Sequence, residues 1–93
     1  MRVAADAYIY GYPLVVMDVT RTILTATGSL TPHKAPMNQF LHLRQFPDPA
    51  FTDVVSPNVD TLYSTAWIDV LREPMVLTVP EMSRYYVMQM LDA

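Results

Sequence analysis

The sequence predicts an α+β fold. An N-terminal apolar helix spans about 3–27, a proline-rich connection about 28–57, and a three-stranded antiparallel meander about 61–92. Three observations lead there. Residues 3–27 are apolar on nearly every helical face. Five of the eight prolines (Pro32, Pro36, Pro47, Pro49 and Pro57) fall in the next thirty residues. After Pro57 come three segments rich in β-branched and aromatic residues, separated by short turns.

The helix is justified first. Ala4, Ala5, Ala7, Tyr8, Ile9, Tyr10, Tyr12, Leu14, Val15, Val16, Met17, Val19, Ile23 and Leu24 surround its axis, against Asp6, Asp18, Thr20, Arg21 and Thr22. A helix apolar all round is buried or embedded in a membrane. The uninterrupted stretch between Asp6 and Asp18 is only 11 residues. A span needs about 20, so a buried core helix is expected and a membrane span is not. Arg2 before an apolar run resembles the start of a signal peptide, but Asp6 and the Gly11-Tyr12-Pro13 break oppose that reading. Pro13 removes one helical hydrogen bond and predicts a kink near Tyr10–Tyr12. Asp18 and Arg21 stand three apart and can pair. Gly28 is the expected stop.

The connection holds His33, Lys34, Asn38, Gln39, His42, Arg44 and Gln45 between its prolines. Its one helix-like island is Met37–Gln45. Long ordered loops are often functional, and this is the most polar part of the chain. Strands then follow at Thr61–Val70, Met75–Val79 and Tyr85–Leu91, with turns at 58–60, 71–74 and 81–83. Alternation puts Tyr63, Thr65, Trp67 and Asp69 on one face of the first strand and Leu62, Ser64, Ala66, Ile68 and Val70 on the other. Both faces are largely apolar, so both call for cover.

Composition sharpens that demand. The chain has 93 residues, 52% hydrophobic and 16% charged, which excludes intrinsic disorder. Six basic and nine acidic residues give −3. No basic patch is present, and nucleic acid is not an expected partner. There is no cysteine, hence no disulfide and no thiolate chemistry, and the compartment stays open. A chain this short buries only about 60–65% of its unfolded surface, yet its apolar fraction exceeds the roughly 45–50% of ordinary domains. The expectation is a fragment of a larger fold or one half of an obligate complex. The cover would come from the chain's own missing C-terminal part, a partner chain or a second copy.

Chemistry is sparse. His33 and His42 have no second ligand at metal spacing, so no metal is expected. A His–Asp pair with Asp48 or Asp60 is allowed but not demanded. Ser64 lacks a Gly-x-Ser-x-Gly setting. Gly11 and Gly28 stand alone, so there is no phosphate loop and no cofactor is expected. The carboxylates Asp6, Asp18, Asp48, Asp53, Asp60, Asp69, Glu73, Glu81 and Asp92 are scattered. The six tyrosines suit a sugar or aromatic pocket and a core edge or interface equally well. Asn58, Asp60, Thr61 and Tyr63 form the densest polar cluster, either aimed at a ligand or a turn that caps itself. The candidate ligand-binding residues are Asn38, Asn58, Asp60 and Tyr63. No catalytic residue is assigned.

One resemblance runs through the chain in order. It begins at Ala7-Tyr8-Ile9-Tyr10-Gly11-Tyr12-Pro13-Leu14 and continues at Ala35-Pro36-Met37-Asn38-Gln39-Phe40 and Phe46-Pro47-Asp48. It is tightest at Ser56-Pro57-Asn58-Val59-Asp60-Thr61-Leu62-Tyr63-Ser64. It extends through Ala66-Trp67-Ile68-Asp69, Glu73-Pro74, Val79-Pro80 and Arg84-Tyr85-Tyr86. These pieces together resemble the first part of the DUF1254 family, a domain of unknown function. The resemblance implies a parent several hundred residues long, with a DUF1214 domain following. It also implies a β-rich, jelly-roll-like barrel or sandwich in a protein that is often bacterial and exported. It transfers no catalytic residue.

Function therefore stays open between three expectations. The parent binds or acts on a small polar or sugar-like molecule; or the chain is a non-catalytic interaction piece; or it is a truncated product without activity.

Overall fold

The computed structural model describes residues 2–52 and 56–92. Asp53 of the carboxylate set, part of the connection at 53–55, and Ala93 after the last expected strand lie outside the described residues. The elements follow in the order α1 (Arg2–Thr25), β1 (Phe40–His42) and β2 (Ser64–Ala66). One helix and one two-stranded antiparallel sheet make the chain α+β.

α1 runs continuously through Pro13. Thr20, Thr22 and Thr25 each return a hydroxyl hydrogen bond to the carbonyl four residues earlier, at 2.7–2.9 Å, which shields polar groups on an otherwise apolar rod. The expected Asp18–Arg21 pair forms at 2.6 Å on an exposed face. The helix stops at Thr25, before Gly28, and no glycine takes a positive φ. Its end is held instead by the connection. Ala35 N–H reaches back to the Leu24 carbonyl at 3.2 Å, and Thr27 N–H reaches that of Thr25 at 2.7 Å. These bonds satisfy carbonyls a left-handed glycine would otherwise serve.

The proline-rich connection is tied at its corners. Thr31 closes a turn with Lys34: its N–H donates to the Lys34 carbonyl at 2.9 Å, and its Oγ1 accepts from Lys34 N–H at 2.9 Å. Asp48 Oδ1 accepts from Ala50 N–H at 2.9 Å, and the Asp48 carbonyl from Phe51 N–H at 3.0 Å. The helix-like island expected at 37–45 is corrected. Met37 and Asn38 form a turn, and Asn38 has φ 63°. That left-handed step cannot continue a right-handed helix, but asparagine tolerates it. The chain leaves the turn as β1.

β1 pairs with β2 in the register Phe40↔Ala66, Leu41↔Thr65 and His42↔Ser64. The ladder is prolonged by Leu43 N–H to the Tyr63 carbonyl at 3.0 Å. At the other end Asn38 N–H reaches the Trp67 carbonyl at 2.7 Å. The register would set Gln39 opposite Trp67, so Asn38 and Gln39 face one residue, the two-against-one count of a bulge.

The three-stranded meander is not formed among the described residues. Only 64–66 of the first expected strand joins a ladder, and its partner comes from the connection rather than from 75–79. Segments 75–79 and 85–91 run extended or irregular without joining a ladder. Strand formers need a paired neighbour before they become strands; here Val76 is 90% exposed and Tyr85 93%. The buried-helix expectation is also corrected: no residue of α1 is buried. Among the described residues only Ala35 and Leu41 are buried, in a small core beside Leu24 and Trp67 around a gap of about 10 Å³. A two-stranded ribbon of three-residue strands has too little surface to cover a 24-residue helix.

Candidate functional site

The four candidate residues fall into two places. Asn58, Asp60 and Tyr63 stay at the entrance to β2. Asn58 Oδ1 accepts from Asp60 N–H at 2.9 Å and Thr61 N–H at 3.1 Å, and its Nδ2 donates to Thr61 Oγ1 at 2.7 Å. The asparagine side chain is spent on its own turn, so it is a cap. Asp60 contributes its backbone N–H to that cap, and its carboxylate makes no hydrogen bond among the described residues. Tyr63 serves the ladder through its carbonyl, and the residue is 45% exposed.

Asn38 stands elsewhere. Its backbone N–H is anchored on Trp67, and its Oδ1 accepts from Asp69 N–H at 2.8 Å. One side chain thus holds the strand exit 31 residues away in sequence. Asp69 Oδ1 in turn accepts from Leu71 N–H at 2.9 Å and bends the chain after β2. The bend opens a cleft of about 320 Å³ walled by Asn38, Asp69, Arg72, Glu73 and Met75. That volume is at the lower end for small-molecule sites, which run about 300–1,000 Å³.

Sequence reasoning named Asn38 alone of these five as a site residue. Asp69 and Glu73 were two carboxylates among nine, and Arg72 and Met75 read as turn and strand start. Only the positive φ at Asn38 and the Asp69 turn bring them together, and neither is visible in residue spacing.

A second polar contact lies on the ribbon. His42 Nδ1 and Ser64 Oγ are 2.7 Å apart across the strands, and the His42 ring stacks on Phe40 with centroids 5.9 Å apart. Directly opposed residues on one face of a ladder meet in this way. Among the described residues neither histidine is within ion-pair distance of a carboxylate. No group of three or more His, Asp or Glu among them is placed to hold a metal ion. No helix of the described residues is long and apolar enough to cross a membrane.

Comparison with known proteins adds one finding. The family model described as "Protein of unknown function (DUF1254)" matches residues 37–93. The match takes in both strands, the Asn58 turn and all five walls of the cleft. No curated protein and no solved structure matches.

Proposed function

The chain belongs to the DUF1254 family, and from that premise we propose that it is the part of a larger β-rich protein that carries a binding cleft for a small polar or sugar-like ligand. The observation that carries the reading is the cleft itself. Asn38, Asp69, Arg72 and Glu73 line it with polar groups, and Met75 supplies an apolar wall. A concave site with a few convergent polar groups is what small-ligand binding requires. In this reading the segments 75–79 and 85–91 become strands once a neighbouring sheet of the parent barrel or sandwich pairs with them.

The test fills the cleft. Met75→Trp leaves the ribbon untouched and occupies the cavity. The full-length protein is incubated with a polar metabolite extract, and retained small molecules are identified by mass spectrometry. Retention by the native protein and its loss in Met75→Trp are expected. No retention, or equal retention in both, contradicts the reading.

A second reading is favoured by a separate observation, the uncovered surface. The chain exposes 8835 Å², whereas a folded monomer of 10.6 kDa exposes about 5,500 Å². In that reading the chain is a non-catalytic interaction piece covered by a partner chain or a second copy. The cleft is then idle, and Met75→Trp changes neither retention nor assembly.

A further inference from the structure

The unsatisfied groups around the cleft narrow its ligand, and this step rests on the binding reading above. Asn38 uses its Oδ1 on Asp69 N–H, which leaves the two hydrogens of Nδ2 free to donate. Asp69 uses Oδ1 on Leu71 N–H, which leaves the second carboxylate oxygen free to accept. Arg72 makes no hydrogen bond or ion pair among the described residues, although Asp69 and Glu73 share its cleft. Glu73 is likewise without a partner among them. The guanidinium and the carboxylates therefore stand apart, each able to meet a ligand group.

A guanidinium offers five donors in a planar fork matched to a carboxylate. The two acidic walls offer acceptors of the opposite kind. One Arg against an Asp and a Glu leaves the cleft at −1, so a ligand that is only an anion meets net repulsion. A ligand that is only a cation leaves Arg72 unmet. Both demands are met when one small molecule carries a carboxylate and an ammonium. Its hydroxyls suit Asn38 Nδ2. We infer that the cleft between Asn38 and Arg72 takes a small zwitterion of the amino-acid or amino-sugar-acid class, with its carboxylate on Arg72 and its ammonium between Asp69 and Glu73.

Four open-chain six-carbon probes separate the charges. D-glucosaminate carries both, D-gluconate the carboxylate only, D-glucamine the ammonium only, and D-sorbitol neither. Binding to the full-length protein is measured by titration calorimetry. D-glucosaminate is expected to bind at least ten-fold tighter than each of the other three. Arg72→Gln is expected to lower D-glucosaminate binding at least ten-fold without lowering D-glucamine binding, which a merely unfolded cleft would not do. If D-gluconate, D-glucamine or D-sorbitol equals D-glucosaminate, the zwitterion assignment is overturned and the polar-ligand reading stands. If none of the four binds while metabolite retention persists, the assignment is again overturned. Loss of retention from the native protein removes the cleft reading itself.

Discussion

Asparagine does two different jobs in this chain, and the difference is one of backbone conformation. Asn58 caps a turn three residues long, while Asn38 sits at φ 63° and reaches across to Asp69. Asn38 carries its Cβ at positive φ, which the side-chain bond helps it tolerate. Asn38→Ala keeps the Cβ and loses the bond, so a loss of about 1 kcal/mol or more is expected. Asn38→Gly loses the same bond but sheds the Cβ strain, so a net change within about 0.5 kcal/mol is expected. Urea unfolding ranks the two, and equal losses would show that φ is not the reason for the asparagine. Asn58→Ala is expected to cost about 1 kcal/mol, and Asp60→Asn to stay within about 0.5 kcal/mol. A large effect of Asp60→Asn on binding with unchanged stability would restore Asp60 as a ligand contact. The sequence made Asn58 legible as a turn-former, because its partners lie within three residues. Asn38 was legible as polar and loop-borne, but its partner lies 31 residues away.

Local elements were readable where the cause is local. The helix follows from an unbroken run of helix-compatible apolar residues, and the Asp18–Arg21 pair from three-residue spacing. The first ladder was not readable, because its register joins residues 22 to 26 apart. Periodicity describes a strand's faces and says nothing of its neighbour. Two substitutions probe the elements. Leu41 is one of the two buried residues among those described, and Leu41→Ala is expected to cost about 2 kcal/mol in thermal unfolding. A loss under about 0.5 kcal/mol would mean that the ribbon has no core role. Gly11 lies within the helix, and beyond its chain neighbours and the helix's own nearby backbone no atom comes within 4 Å of where a Cβ would stand. In the uncovered chain Gly11→Ala is expected to raise helix stability by about 1 kcal/mol, read by circular dichroism. A loss in place of this gain would place cover against this face.

The whole molecule is short of cover. Its 8835 Å² exceeds the expectation for its mass by about 3,300 Å², and an ordinary interface takes roughly 800 Å² from each partner. Its radius of gyration of 16.2 Å compares with about 12 Å for a compact domain of this length. The uncovered groups are specific: Val3, Tyr10 and Val15 on α1, then Leu71, Val76, Tyr85 and Met90 beyond β2, all more than 60% exposed. Composition announced this imbalance before any element was placed, since 52% apolar residues cannot be hidden by so short a chain. What the cover is, by contrast, is not written in residue counts.

The measurement that bears most directly on this is light scattering on the purified 93-residue chain, coupled to size exclusion, across a range of concentrations. An uncovered part of a larger fold predicts self-association that grows with concentration, and no stable species at 10.6 kDa. A monodisperse monomer of that mass, unfolding in one cooperative transition, would contradict the account.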